Sequence, residues 1–260
     1  MEVWKAAVLG LVQGITEFLP VSSSGHLLLF ERMLGVETGG ADMFLGIMLH
    51  AGTLIAVLFF YAPQLIGMLK GDRRQIGYLL LATIPAALVG VFLGDAVDRL
   101  FFGGRWLWLF FALTALLLFA SERYSRRPHV FRPLGVKNAA AVGFAQALAV
   151  IPGLSRSGTT LAAGIFCGLE RERAADFSFL LSIPVIAGAL LVEGFKAFTG
   201  ENYMAAISWQ GLLAGTACAA VSGLAALWLL RKVVRWGKLY PFAIYLLVLS
   251  AILAASQIFF

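Results

Sequence analysis

Charge is what this chain has least of. Only 13% of its 260 residues are Asp, Glu, Lys or Arg, where soluble domains carry about a quarter. Residues 43–69, 76–94, 209–230 and 239–260 hold none at all. That excludes an ordinary water-soluble globule. Cysteine is also scarce: Cys167 and Cys218 both sit in apolar surroundings, which reads as two small buried hydrophobes and not as a disulfide framework. Three histidines and two cysteines form no zinc-like cluster. No lysine-containing phosphate loop points to a nucleotide, and no interleaving of basic and aromatic residues points to nucleic acid. The first apolar stretch carries Gln13 and Glu17 and ends at Pro20, so it is not expected to be a cleaved signal peptide.

What remains is 60% hydrophobic, with a mean hydropathy of +0.89. A helix needs about 20 apolar residues to cross a bilayer. The pattern predicts an all-α polytopic membrane protein with six spans, at 44–61, 76–94, 106–121, 177–195, 209–230 and 240–258. Moving the first three starts forward by 133 residues lands on or beside the last three. One membrane domain over 1–260, built from halves near 1–127 and 134–260, follows. Three spans per half is an odd number, so the second half enters inverted.

Ahead of each trio lies a shorter segment, 4–34 and 138–169, reading as helix, Pro-marked break and second helix. The second arm of the first copy is too short to span, which favours re-entrant helical hairpins over a seventh span at Val3–Leu19. Fourteen of the twenty Lys and Arg fall in loops 62–75, 122–137, 168–176 and 231–239, and five lie on the other side. The basic side is expected to be cytoplasmic, with the first hairpin opening outward.

The breaks carry the polar chemistry. At the same offset Gln13 matches Gln146, Ser22 matches Ser155, Ser24 matches Ser157, and Gly25 matches Gly158. Glu17 is the only charge between Lys5 and Glu31, and Arg156 the only one between Lys137 and Glu170. Ionised groups at membrane depth are expensive and usually functional, so the two tips are expected to meet. Ser22, Ser23, Ser24 and Gly25 in one copy, and Ser155, Ser157, Gly158, Thr159 and Thr160 in the other, precede apolar helices. One such serine reads as a helix cap. Two sites offering N–H donors, with the guanidinium of Arg156 added by the second, read as a pocket for phosphate or diphosphate. Gln13 and Glu17 share a helix face and supply two oxygens for a hard divalent cation, too few unless substrate phosphates complete the shell. His26 lies over the same turn as Ser22 and Ser23 and is a candidate acid or base. His50, inside an apolar run, reads as structural or lining, and His129 as part of a basic loop.

These motifs resemble those of the undecaprenyl-diphosphate phosphatases, the bacitracin-resistance family of bacterial membrane phosphatases. The family shows (E/Q)xxxE, a serine-rich turn ending in Gly-His, and PGxSRSxxT. Here they read Gln13 to Glu17, Pro20 to His26, and Pro152 to Thr160, in order, with Gln13 taking the amide option. The resemblance implies hydrolysis of undecaprenyl diphosphate to the monophosphate, recycling the carrier lipid for cell-wall synthesis. It also implies Mg²⁺ or Ca²⁺ dependence and a site in the bacterial inner membrane that opens outward. On that basis Ser23 is the expected nucleophile with His26 as its base or acid, direct attack by His26 being the alternative. Glu17 holds the cation or polarises His26, and Arg156, helped by Ser155 and Thr160, neutralises phosphate oxygens. Oligomeric state stays open, a homodimer included.

Two other readings compete. A transporter or flippase of prenyl phosphates shares the inverted plan and the anion pocket but needs no Ser–His pair and frees no phosphate. An acid-phosphatase-like lipid phosphatase would need a lysine–arginine motif and a distal His–Asp pair, which the sequence does not show.

Overall fold

A computed structural model describes residues 1–36, 40–101, 103–127, 131–199 and 208–259. The described residues form eleven α-helices and no strand: α1 (Val3–Phe18), α2 (Ser23–Met33), α3 (Gly40–Phe60), α4 (Ala62–Lys70), α5 (Arg74–Phe101), α6 (Leu107–Ser125), α7 (Val136–Leu148), α8 (Arg156–Phe166), α9 (Arg171–Thr199), α10 (Trp209–Arg235) and α11 (Tyr240–Phe259). His129 lies outside the described residues.

Each expected span coincides with a helix. Four of them, α5, α6, α9 and α10, are long and apolar enough to cross a membrane, and α3 joined to α4 makes a fifth if that pair is one span. The pair bends by 65° at Tyr61, where Pro63 opens the first turn of α4. The apolar core of α11, Tyr240–Ser256, is shorter. The protein is therefore a multi-pass membrane protein. Its helices also run past the expected limits, because charged residues that interrupt an apolar run do not interrupt a helix: α9 begins at Arg171 and α10 ends at Arg235.

The segments with breaks are short. At 1.5 Å per residue, α1 with its 16 residues reaches roughly 24 Å and α2 with its 11 roughly 16 Å, below the ~30 Å of hydrocarbon. The arms α7 and α8 have 13 and 11 residues. Each short pair packs on itself, α1 on α2 and α7 on α8.

Packing partners are arranged in matched pairs. Helix α1 lies mainly against α10, and α7 against α5; α3 packs on α10, and α9 on α5. Close approach explains the small residues. A Cβ on Gly10 would meet the Gly215 carbonyl oxygen at 2.2 Å, and one on Gly143, 133 residues later, would meet that of Ala82 at 2.7 Å. Membrane helices associate through such backbone proximity, since lipid is as apolar as leucine.

One end of the bundle is tied by ions. Glu122 of α6 is fully buried; it accepts from Arg126, from Arg171 of α9 at 3.0 Å and from the Leu239 backbone N–H at 3.2 Å. Arg235 of α10 reaches Glu172 of α9 at 3.3 Å, and Tyr61 donates to Asp176 at 2.7 Å. The four basic loops therefore share this end.

Candidate active site

The tips of the two short pairs touch. Ser157 donates to the Leu19 carbonyl at 3.0 Å, across the junction between the two segments. Gly25 is required here: a Cβ would strike the Phe111 ring at 2.6 Å and approach the Gly153 Cα at 3.3 Å.

Glu17 sits where they meet. Its Oε1 accepts from Arg156 Nη2 at 2.7 Å. Its Oε2 accepts from Ser23 Oγ at 2.7 Å and from Gln13 Nε2 at 3.1 Å. His50 Nε2 stands 3.9 Å from the same Oε2. Both oxygens are thus held by donors, which is what a buried carboxylate requires to stay ionised away from water. The side chain of Glu17 is 6% exposed and that of Arg156 14%, whereas His50 is 36% exposed and forms the open edge. Arg156 also donates through Nη1 to the Ser178 carbonyl at 3.3 Å, so two of the five N–H groups of a guanidinium are placed.

Ser22 has φ +73°, the one non-glycine residue in the left-handed region among those described. Such a conformation costs about 1–3 kcal/mol and tends to mark functional turns. The residue immediately precedes α2, yet its side chain makes no cap and lies 3.4 Å from the Ser24 hydroxyl. Its match, Ser155, has ordinary extended backbone and does cap α8, accepting from Gly158 N–H at 3.1 Å. The Ser155 and Ser157 hydroxyls repeat the serine pairing at 3.2 Å.

The expected Ser23–His26 bond is not formed. His26 is buried at 4% exposure, its Nδ1 donates to the Ser22 carbonyl at 2.8 Å, and its Nε2 meets the Tyr245 hydroxyl at 2.7 Å. The two rings also stack, 5.7 Å apart. Ser23 turns instead to Glu17. The physical reason is direction: Ser23 opens α2 and faces back across the break, while His26, three residues on, is drawn toward α11.

The polar groups of the second break are largely satisfied by neighbouring helices and by the α8 cap. Thr160 shares a hydrogen with Ser178 at 2.6 Å, the Ser155 N–H donates to Thr114, and the Gly158 N–H is used by the cap. Only Thr159 Oγ1, Gln13 Oε1 and Gln146 Oε1 are buried polar side-chain atoms without a partner among the described residues. Gln146, the match of Gln13, donates to the Ala82 carbonyl and takes no part in the Glu17 cluster.

Sequence reasoning missed His50, Ser178 and Tyr245. Nothing polar adjoins His50 in its apolar run, yet the fold brings it beside Glu17. For Ser178 and Tyr245 the sequence holds no signal, since each sits in an apolar span. Among the described residues no three of His, Cys, Asp and Glu converge on a metal position. The oxygens available to a hard cation are those of Glu17, Ser23 and the orphaned Gln13 Oε1.

Residues 6–252 match the family model described as bacitracin resistance protein BacA. The chain is 40% identical to a protein named undecaprenyl-diphosphatase from Halothermothrix orenii, over 94% of each chain. It is 36% identical to one of the same name from Methanosphaera stadtmanae, over 97% of each. A third such protein, from Carboxydothermus hydrogenoformans, is 37% identical over 99% of this chain and 98% of its own.

Proposed function

The chain belongs to the bacitracin resistance protein BacA family, and from that premise we propose that it hydrolyses undecaprenyl diphosphate to undecaprenyl phosphate and inorganic phosphate at the Glu17–Arg156 junction. The product is the carrier lipid in the form that cell-wall assembly reuses, and its regeneration is the basis of resistance to bacitracin. One observation carries the site assignment: a serine and a guanidinium, drawn from two distant segments, each hydrogen-bond to the same carboxylate.

Ser23 attacks the terminal phosphorus, and its proton passes to Glu17 Oε2, already its acceptor. The phosphorus–oxygen bond to the lipid phosphate breaks, leaving phosphoserine. Arg156 lies beside the reacting group with donors to spare and neutralises oxygens as charge develops. His26 holds the strained Ser22 turn by its carbonyl, so that Ser23 keeps its aim. Ser22, Ser24, Gly25, Ser155, Ser157, Gly158, Thr159 and Thr160 shape the walls of the phosphate site. Glu17 and Gln13 Oε1 would hold a Mg²⁺ or Ca²⁺ ion that arrives with the diphosphate, and what such an ion supplies is neutralisation of phosphate charge.

The membrane arrangement follows the same reading. Six helices span, α1–α2 and α7–α8 are re-entrant hairpins, and the halves 1–127 and 134–260 form an inverted repeat. The matched packing of α1 on α10 and α7 on α5 supports this. The end bearing the four basic loops is cytoplasmic, so the mouth of the α1–α2 hairpin opens outward in the inner membrane.

Purified protein in detergent, incubated with undecaprenyl diphosphate and Mg²⁺ or Ca²⁺, releases orthophosphate. Lipid movement across vesicles with no phosphate set free would instead support a flippase.

A further inference from the structure

The site holds two imidazoles, and only one of them presents an unused nitrogen. His26 spends Nδ1 on the Ser22 carbonyl and Nε2 on Tyr245, and it is buried. His50 is anchored differently. Its Nδ1 lies 2.8 Å from the Gly46 carbonyl one turn earlier in α3, and a carbonyl only accepts, so Nδ1 carries the hydrogen. In the neutral ring that leaves Nε2 with a bare lone pair. That atom is 3.9 Å from Glu17 Oε2, the oxygen that also takes the Ser23 hydroxyl. A gap of 3.9 Å is too long for a direct hydrogen bond. The His50 side chain is 36% exposed, against 14% for Arg156 and 6% for Glu17. An acceptor at the open edge of the site, close to the nucleophile and not bonded to it, is suited to hold a water molecule.

We propose that His50 is a further catalytic residue, one that orients the water which hydrolyses phosphoserine 23. The inference rests on the reading of Ser23 as the nucleophile. The water donates to Nε2, and its oxygen forms the new bond to phosphorus on the side opposite Ser23. The bond from phosphorus to Ser23 Oγ breaks, and Glu17 returns to Oγ the proton taken in the first step. The released phosphate keeps both hydrogens of the water, so His50 accepts a hydrogen bond and no net proton. Orientation of this kind is worth about a hundredfold in rate.

Two substitutions separate the parts of the ring. His50→Asn sets an amide nitrogen where Nδ1 lies, keeping the Gly46 contact and deleting Nε2. His50→Gln extends to the Nε2 position and restores an acceptor oxygen. Each variant is mixed rapidly with undecaprenyl diphosphate carrying a labelled terminal phosphate, and lipid monophosphate, orthophosphate and protein-bound label are followed. The expected result for His50→Asn is a burst of one lipid monophosphate per protein, label held on Ser23, and orthophosphate release slowed about a hundredfold. His50→Gln recovers most of the rate. Normal turnover by His50→Asn, or slowing of both products together without trapped label, overturns the assignment of His50. Retained turnover by Ser23→Ala overturns the covalent reading beneath it instead.

Discussion

Ser23 and Arg156 stand at the same position of two matched segments, 133 residues apart, and grip opposite oxygens of the Glu17 carboxylate. The related positions hold a neutral hydroxyl in one copy and a permanent cation in the other. On the proposed inverted repeat, the two segments are chemically unequal at their centre. The hydroxyl copy can attack, and the guanidinium copy can only attract. The position matching Glu17 is Val150, so a single carboxylate serves both.

The Glu17–Arg156 pair should therefore matter to stability as well as turnover. Removing one partner of a buried ion pair leaves the other uncompensated and costs about 3–5 kcal/mol, whereas replacing both with uncharged groups of similar size costs less. Arg156→Met and Glu17→Gln each abolish phosphate release. In thermal unfolding in detergent, the double variant melts above Arg156→Met alone. A double variant that melts no higher would mean that the pair does not hold the tips together.

The small-residue interface gives a prediction independent of the chemistry. Gly10→Ala drives a methyl into the Gly215 carbonyl, whereas Gly77→Ala on α5 meets nothing within 4 Å. Overpacking of this kind costs about 1–3 kcal/mol. The melting temperature of Gly10→Ala falls and that of Gly77→Ala stays near the parent; equal behaviour of the two would contradict the close approach of α1 and α10.

Much of this was legible in the primary structure because rarity is informative in an apolar chain. Glu17, Arg156 and the two Ser-Gly breaks were conspicuous as the polar residues of otherwise lipid-like stretches, and the structure brings them together. The helix that carries His50 is also readable, but spacing alone leaves His50 between a structural and a lining role, although an ionisable group at such depth argues for function. What no local pattern conveys is a partner 219 residues away, as Tyr245 is for His26. The pairing of Ser23 with Glu17 depends on the turn at Ser22, the strained residue just ahead of α2, which residue spacing does not encode.

Tyr245 is accordingly the test of His26. Tyr245→Phe keeps the stacked ring but leaves His26 Nε2 buried and unsatisfied, at about 1–3 kcal/mol. Phosphate release falls, and adding His26→Gln in that background lowers it little further, because both substitutions disable one unit. Strictly multiplicative losses in the two single variants and the double would show that the residues act apart.

The final prediction concerns the cation. Gln13 donates to Glu17 through Nε2 while its Oε1 has no partner among the described residues. Gln13→Glu replaces that donor with a second carboxylate, about 3 Å from the first. Without a divalent ion the two like charges repel, so the variant melts below the parent in chelator. With the ion present an added charged ligand strengthens binding, and the concentration of Mg²⁺ or Ca²⁺ giving half-maximal phosphate release drops by about tenfold. Melting rises with added cation more steeply than in the parent, which measures binding without reference to turnover. If cation requirement and melting both stay unchanged in Gln13→Glu, the ion is not held at this end of α1, and Glu17 serves Ser23 and Arg156 alone.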